Sequence, residues 1–299
     1  MNIEVVHFED EKYISRRPKV EDFISEYTSF LKENGNRKNP YRDPDNCGTC
    51  SALYDMSEKL WGEKLPETWG TDQLGFSAST NRKTIYSTYL EKSDDEDKFE
   101  FVAECIYDTR TIGGCFIWPK VKRGNRSVSE YNTVRGGHKI SERKKYKYFL
   151  EDRADVALLE IQNFFEKYNE NKNYDKFITE YRNDERWMLF NYTSNYPSNE
   201  EEYKIMFEWL ASFGSFECYC KWFYFYNVFV VCEDNVIRII DIVNSDLQND
   251  KFVYLIQPVT SSIYDLSADA IRTMLDNIRC LVNKRSNEIH SNNQLGTSL

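Results

Sequence analysis

The chain has 299 residues, of which 40% are hydrophobic, 15% aromatic and 29% charged, and 39 basic against 49 acidic residues give a formal net charge of −10. With only 12 glycines and 7 prolines, this composition excludes a disordered, collagen-like or linker-dominated chain. A chain of this length buries a substantial core, as one large domain or two of ordinary size.

The first half of the chain contains both helix-like and strand-like patterns. Candidate helices lie at 20–33 and 51–61. They are followed by runs rich in aromatic and β-branched residues, which are typical of strands. The predicted strands are at 84–90, 99–107 and 111–118.

After residue 150 the apolar residues fall mainly at helical spacing. The predicted helices are at 158–168, 203–213 and 268–284, and the predicted strands are at 236–243 and 252–256. The aromatic run at 218–231 is open between a buried helix and a strand, because periodicity does not distinguish them in a continuously apolar segment. The tail from His290 is expected to fray.

The sequence also predicts where the protein resides. Residues 1–13 are acidic and lack the features of a secretory signal, and the most apolar stretch, 222–232, has about half the roughly 20 residues of a membrane helix. Eight scattered cysteines favour a reducing cytoplasm over a disulfide scaffold. Cys47 and Cys50 have a CxxC spacing, but no second ligand pair follows, so we expect no metal and no cofactor.

A basic segment interrupts this acidic chain between Lys120 and Tyr148. It contains ten basic and two acidic residues, a local charge of +8, so that the remainder carries −18. Arginine and lysine side chains match phosphate oxygens, and the interleaved tyrosines offer faces for base stacking. The segment therefore predicts a phosphate-bearing ligand; the alternative is a solvated loop that balances acidic residues such as those at 94–97.

Two places offer weak candidates for catalysis. His138 lies within the glycine-containing basic segment. Asp152 is placed as the N-cap of the helix that follows, with Asp155 three residues on, which is a capping arrangement. The functional alternative makes Arg153 an anion ligand, with Asp152 or Asp155 orienting it or acting as a base.

Several short motifs, in order along most of the chain, resemble an uncharacterised family of bacterial and phage proteins catalogued as a domain of unknown function. The resembling segments are Asp43-Pro-Asp45, 60–66, Arg110-Thr-Ile-Gly113-Gly114, 116–119, 132–136, 152–158, 213–223 and Lys284-Arg285-Ser-Asn287. The family pattern has little between the fifth and sixth of these, where this chain carries the lysine-rich stretch 139–148. The resemblance implies one cytoplasmic unit spanning the chain and supplies no catalytic residues.

These observations predict a single α+β domain over residues 1–290, with a flexible tail at 291–299. Its N-terminal half is mixed and contains a small sheet to about residue 150, and its C-terminal half is predominantly helical and packs with it as one unit.

Three functions follow from the candidate residues. The first is binding of a nucleotide or nucleic acid through Arg110, Asn132, Arg135 and Arg153, helped by Arg143, Lys144 and Lys145. The second is an enzyme acting on that ligand, with Asp152, Asp155 or His138 as the base. The third is a protein-interaction factor, for instance in phage–host conflict, whose aromatic face at 213–229 packs a protein partner or a homodimer. None of the three involves a membrane.

Overall fold

The computed structural model describes residues 20–34, 56–67, 69–74, 85–109, 111–122, 131–133, 153–181, 199–256 and 265–295. Within these ranges the fold is α+β, as predicted. The helices are α1 (Val20–Asn34), α2 (Ile85–Lys92), α3 (Lys98–Thr109), α4 (Ala154–Glu170), α5 (Tyr174–Tyr181), α6 (Asn199–Ala211), α7 (Phe216–Trp222) and α8 (Ala268–Leu295). The strands are β1 (Trp69–Gln73), β2 (Cys115–Lys122), β3 (Tyr131–Thr133), β4 (Val230–Glu233), β5 (Val236–Ile240) and β6 (Tyr254–Leu255).

The strands form two small antiparallel sheets, one in each half of the chain. The first has the order β1-β2-β3, with Trp69 opposite Pro119. The second has the order β4-β5-β6. Asp234 and Asn235 join β4 to β5, and both are left-handed, with φ of 52° and 62°. Two such residues give the tight turn that matches the twist of a hairpin.

Two of the three strands predicted in the first half are wrong, since α2 covers most of 84–90 and α3 covers 99–107. The buried side chains of α3 include Phe101, Val102, Cys105 and Ile106. These four residues follow one another at steps of one, three and one positions, which places them on one face of a helix. Burial of this face outweighs the strand preference of aromatic and β-branched residues. The third predicted strand is confirmed from residue 115 onward, because 112–114 form a 3₁₀ turn.

The aromatic run at 218–231, left open by the sequence, contains both structures. α7 ends at Trp222, a loop follows, and β4 begins at Val230. Gly214, with a φ of +75°, allows the chain to turn between α6 and α7. The hydroxyl of Ser215 then caps α7 by accepting the Cys218 N–H at 3.1 Å.

α8 is longer than predicted and connects the two halves of the chain. It continues to Leu295, past the predicted end at residue 284, and the expected fraying of the tail stays a prediction. Ile289, fully buried, anchors this extension to the core. The helix contacts α2, α3 and the turn at 112–114. None of the described helices, including this one, combines the length and the apolar character needed to cross a membrane.

Two arginines of α8 form ion pairs with acidic residues of α3 and of the turn that precedes it. Arg272 makes a bidentate ion pair with Asp97 at 2.8–2.9 Å and also contacts Asp95. Arg279 binds Glu104 and Asp108 at 3.1 and 2.8 Å. Hydrogen bonding by Arg272 holds the pKa of Asp97 below its usual value. Two carboxylates of the acidic run at 94–97 are thus engaged by α8.

The cysteines of the described residues are free thiols in contrasting environments. Cys105 and Cys220 are buried, and burial raises the pKa of both thiols, whereas Cys218 and Cys232 are exposed. Because the thiolate is the reactive form, iodoacetamide should alkylate Cys218 and Cys232 in the native protein well before the buried pair. Peptide mass spectrometry tests this order, with urea-unfolded protein as the control; equal native rates at Cys105 and Cys218 would contradict it. Cys47 and Cys50 lie outside the described residues.

Candidate functional site

Arg153 and Asp155 form a buried ion pair at the start of α4. Their side chains are 3% and 0% exposed, and two guanidinium nitrogens of Arg153 donate to the two carboxylate oxygens of Asp155 at 2.8 Å. Arg153 occupies the N-cap position, so the expected N-cap at Asp152 is wrong. The helix end is stabilised from within, since Asp155 accepts the Val156 N–H at 2.9 Å. Asp152 lies outside the described residues.

The Asp155 carboxylate also connects α4 to the second sheet. It accepts the Ile242 N–H at 3.1 Å, and Asp241 lies 3.8 Å from Arg153. Asp241 in turn accepts the backbone N–H groups of Val243 and Asn244 at 2.9 and 3.1 Å. These bonds give the Arg153–Asp155 pair a structural role in joining two elements.

Among the predicted site residues, the structure thus brings together Arg153 and Asp155. Asn132 lies in β3 opposite Val121. The remaining predicted residues are outside the described ranges: Arg110, Arg135, His138, Arg143, Lys144, Lys145 and Asp152.

Much of the aromatic face at 213–229 belongs to the core and is unavailable to a partner, which corrects that prediction. The buried rings are Phe213, Phe216, Tyr219, Phe223, Phe225 and Phe229. All of these except Phe216 contact one another with centroids about 5–6.5 Å apart, a separation at which aromatic pairs stabilise a core. These rings are therefore buried by contacts within the chain itself.

Three other rings of the same run are partly buried against the core and line a pocket of about 500 Å³. Trp222, Tyr224 and Tyr226 alternate with the buried Phe223 and Phe225. The other lining residues are Lys221, Asn227, Leu60, Glu288 and Asn292. This aromatic pocket, as we call it, has a volume within the range of small-molecule sites, is open to solvent and has a lining that is about as polar as it is apolar.

A strained loop holds the rings of the aromatic pocket in place. Tyr224 and Asn227 have left-handed backbones, with φ of 56° and 62°, a conformation costly for a bulky residue such as tyrosine. The carbonyl of Cys220 accepts two N–H groups from the loop, at 2.7 and 3.2 Å. Asn227 N–H donates to the Val230 carbonyl at 2.6 Å. Strain maintained in this way is frequent at binding sites.

Lysines surround the aromatic pocket. Lys221 pairs with Glu217 at 2.6 Å and lies 4.9 Å from the ring centroid of Tyr226. Lys64 lies 5.9 Å from the Trp222 ring, and its ammonium donates to the Ser212 carbonyl. Lys284 donates to the Asn227 carbonyl at 2.5 Å. Neither Lys64 nor Lys284 has a carboxylate partner in the described part of the chain.

Arg285 lies beneath the aromatic pocket, completely buried. Its guanidinium donates to the carbonyls of Phe223, Gly113 and Cys115 at 2.7–2.9 Å and lies 4.0 Å from the Phe225 centroid. Its Nη2 atom has no hydrogen-bond partner among the described residues. Burial lowers the pKa of Arg285 to about 10. One side chain thus connects the pocket loop to the start of β2.

Ser286 strengthens the same junction. Its hydroxyl bonds the Thr111 hydroxyl at 2.9 Å and accepts the Gly113 N–H at 3.1 Å. Parts of two segments named for the family resemblance, Thr111 and Gly113 in one and Arg285 and Ser286 in the other, therefore meet in the interior. Arg285 and Ser286 thus connect α8 to the turn at 112–114, and Arg285 also connects α8 to the pocket loop at Phe223.

The described residues contain no group of three or more histidine, cysteine, aspartate or glutamate side chains arranged to hold a metal ion. Comparison with known proteins finds no matching family model, no matching curated protein and no matching solved structure. The family indicated by the motifs accordingly remains a prediction, and the pocket's own chemistry must support any functional conclusion.

Proposed function

We propose that the aromatic pocket binds a nucleotide, either free or as a unit of a nucleic acid. The observation that supports this is the group of three partly buried rings, Trp222, Tyr224 and Tyr226, beside lysines that lack carboxylate partners. A base would stack on the rings, and its phosphate would lie toward Lys64 and Lys284.

The energetics favour such a ligand. Stacking of a base on an aromatic side chain is worth about 1–3 kcal/mol, whatever the base. The Lys64 and Lys284 ammoniums each hold only a backbone carbonyl, so each retains donors for a phosphate oxygen. The proposal keeps the nucleotide or nucleic-acid ligand predicted from the basic segment, with that segment as a further source of positive charge.

Removal of one ring tests the proposal. Tyr224→Asn eliminates the stacking face but retains a residue that tolerates a left-handed backbone. We expect affinity for mononucleotides, measured by isothermal titration calorimetry at low salt, to fall by roughly 10–100-fold from the lost stacking. Phe252→Asn is the matched control, because Phe252 is 50% exposed and is not among the pocket residues, and it should bind as the wild type does.

Two results would contradict the proposal. The first is no detectable binding of the four common ribonucleoside monophosphates or of oligothymidine to the wild type at low salt, where charge attraction is strongest. The second is an equal affinity of Tyr224→Asn and the wild type. If a Lys64→Gln, Lys284→Gln double variant binds with unchanged affinity, the assignment of these two lysines to the phosphate is wrong. The assignment of the rings to the base would not be affected.

A further inference from the structure

We infer, on the basis of the proposed function, that the aromatic pocket selects guanine and that Glu288 reads the base. Glu288 lines the pocket on the last turns of α8 and is half-buried. Its carboxylate has no hydrogen-bond donor and no ion-pair partner among the described residues. Glu288 therefore has acceptor capacity that the N–H donors of a ligand in the pocket can use in place of water.

The position of Lys284 explains why this carboxylate is left open. Lys284 precedes Glu288 by four residues on α8, the spacing at which a lysine and a glutamate normally pair. Here the Lys284 ammonium is held by the Asn227 carbonyl at 2.5 Å. Asn292 does not compensate, since its amide donates to the backbone carbonyl of Glu288 at 2.8 Å. The Glu288 carboxylate is thus an acceptor that receives no hydrogen bond from the described residues.

Among the common bases, guanine fits such an acceptor best. Its N1–H and N2 amino group are neighbouring donors on one edge, and the two oxygens of a carboxylate accept a parallel pair of this kind as they do from a guanidinium. Adenine and cytosine place a ring-nitrogen acceptor beside their single amino group, and uracil flanks its N3–H with two carbonyls. Those acceptors would face the negative charge of Glu288.

The remaining group on that edge of guanine, the O6 acceptor, also has a complement in the pocket. The side-chain amide of Asn227 makes no hydrogen bond within the described residues and offers two N–H donors. Lys221, on the last turn of α7, offers an ammonium that also pairs with Glu217. The pocket therefore offers an acceptor, Glu288, for the N1–H and N2 donors of guanine, and it offers donors, Asn227 and Lys221, for the O6 acceptor.

The experiment compares GMP, IMP, AMP and UMP on the wild type and on Glu288→Gln by calorimetry. We expect the wild type to prefer GMP over AMP and UMP by roughly 10–100-fold, as for a well-placed bidentate contact. IMP, which lacks the N2 amino group, should bind between GMP and AMP. In Glu288→Gln the preference for GMP over IMP should disappear, while AMP affinity stays within about twofold. Asp269→Asn, at the exposed start of α8, is the control for loss of one negative charge.

The outcomes separate this inference from the proposed function. If the wild type binds none of the four nucleotides, the proposed function itself fails. If the nucleotides bind with equal affinity, or AMP binds best, the pocket takes nucleotides but guanine selection is wrong. If Glu288→Gln weakens all ribonucleotides alike and their 2′-deoxy forms little, Glu288 holds the ribose hydroxyl and the inference is overturned.

Discussion

Arg285→Met is expected to lower the free energy of unfolding by about 3–5 kcal/mol, because three backbone carbonyls lose a charged donor while the cost of burying the guanidinium is removed. Methionine approximates the length of the arginine stem but donates no hydrogen bond. The substitution would leave the carbonyls of Phe223, Gly113 and Cys115 without the guanidinium that each now binds. A buried polar group left unpaired in this way costs about 1–3 kcal/mol. Urea denaturation followed by tryptophan fluorescence measures the loss.

Arg238→Met provides the control for that measurement. The Arg238 side chain is 39% exposed and lies 3.7 Å from Glu233, so its removal should change stability by less than about 1 kcal/mol. A loss at Arg285 no larger than the loss at Arg238 would show that the three carbonyls find other donors.

Gly113→Ala is expected to destabilise the protein by about 2–4 kcal/mol through overpacking. A Cβ atom at this position would overlap the Val282 carbonyl oxygen and the Ser286 hydroxyl and would lie 2.7 Å from the Ser286 backbone nitrogen. Two of these three atoms belong to the backbone of α8, so relief requires the helix to move. Thermal unfolding monitored by circular dichroism measures the effect.

Gly62→Ala is the matched control, because nothing lies within 4 Å of the added Cβ atom. We expect its stability to stay within about 1 kcal/mol of the wild type, since alanine loses less backbone entropy than glycine on folding. Equal effects at the two glycines would contradict the close contact with α8. Because Arg285 binds the Gly113 carbonyl, the double variant Gly113→Ala, Arg285→Met should lose less than the sum of the single losses.

The second half of the fold was more predictable from sequence than the first, and α3 shows the reason. Its Phe99 and Phe101 alternate with polar neighbours as in a strand, yet Phe101, Val102, Cys105 and Ile106 also form a helical stripe. Both patterns fit the sequence. The decision depends on helices distant in sequence, α1 and α8, both of which pack against α3, and tertiary burial of that kind lies outside local propensity.

The aromatic pocket was only partly predictable for a similar reason. The order Trp-Phe-Tyr-Phe-Tyr at 222–226 contains a usable signal at the tyrosines, because phenylalanine has no polar atom while the tyrosine hydroxyl prefers access to water. Trp222 does not follow this rule, since its indole nitrogen is buried without a hydrogen-bond partner among the described residues. At the tyrosines, that alternation separates the buried rings from the partly buried rings. Glu288 and Asn292 follow about 60 residues later, and only the path of α8 places them beside the loop.

The role of α8 as a connector has a consequence for the biosynthesis of the protein. Arg279 binds Asp108, which lies 171 residues earlier, so at roughly 5–20 residues per second a ribosome needs about 10–30 s to add the second partner after the first. During that interval α3 has its contacts with α1 but lacks those with α8, and the turn at 112–114 lacks its α8 contacts as well. Apolar surface exposed in this way is what chaperones bind on nascent chains and what drives aggregation of incomplete products. Translation that stops before residue 268 would therefore release a fragment lacking the helix that joins its own elements.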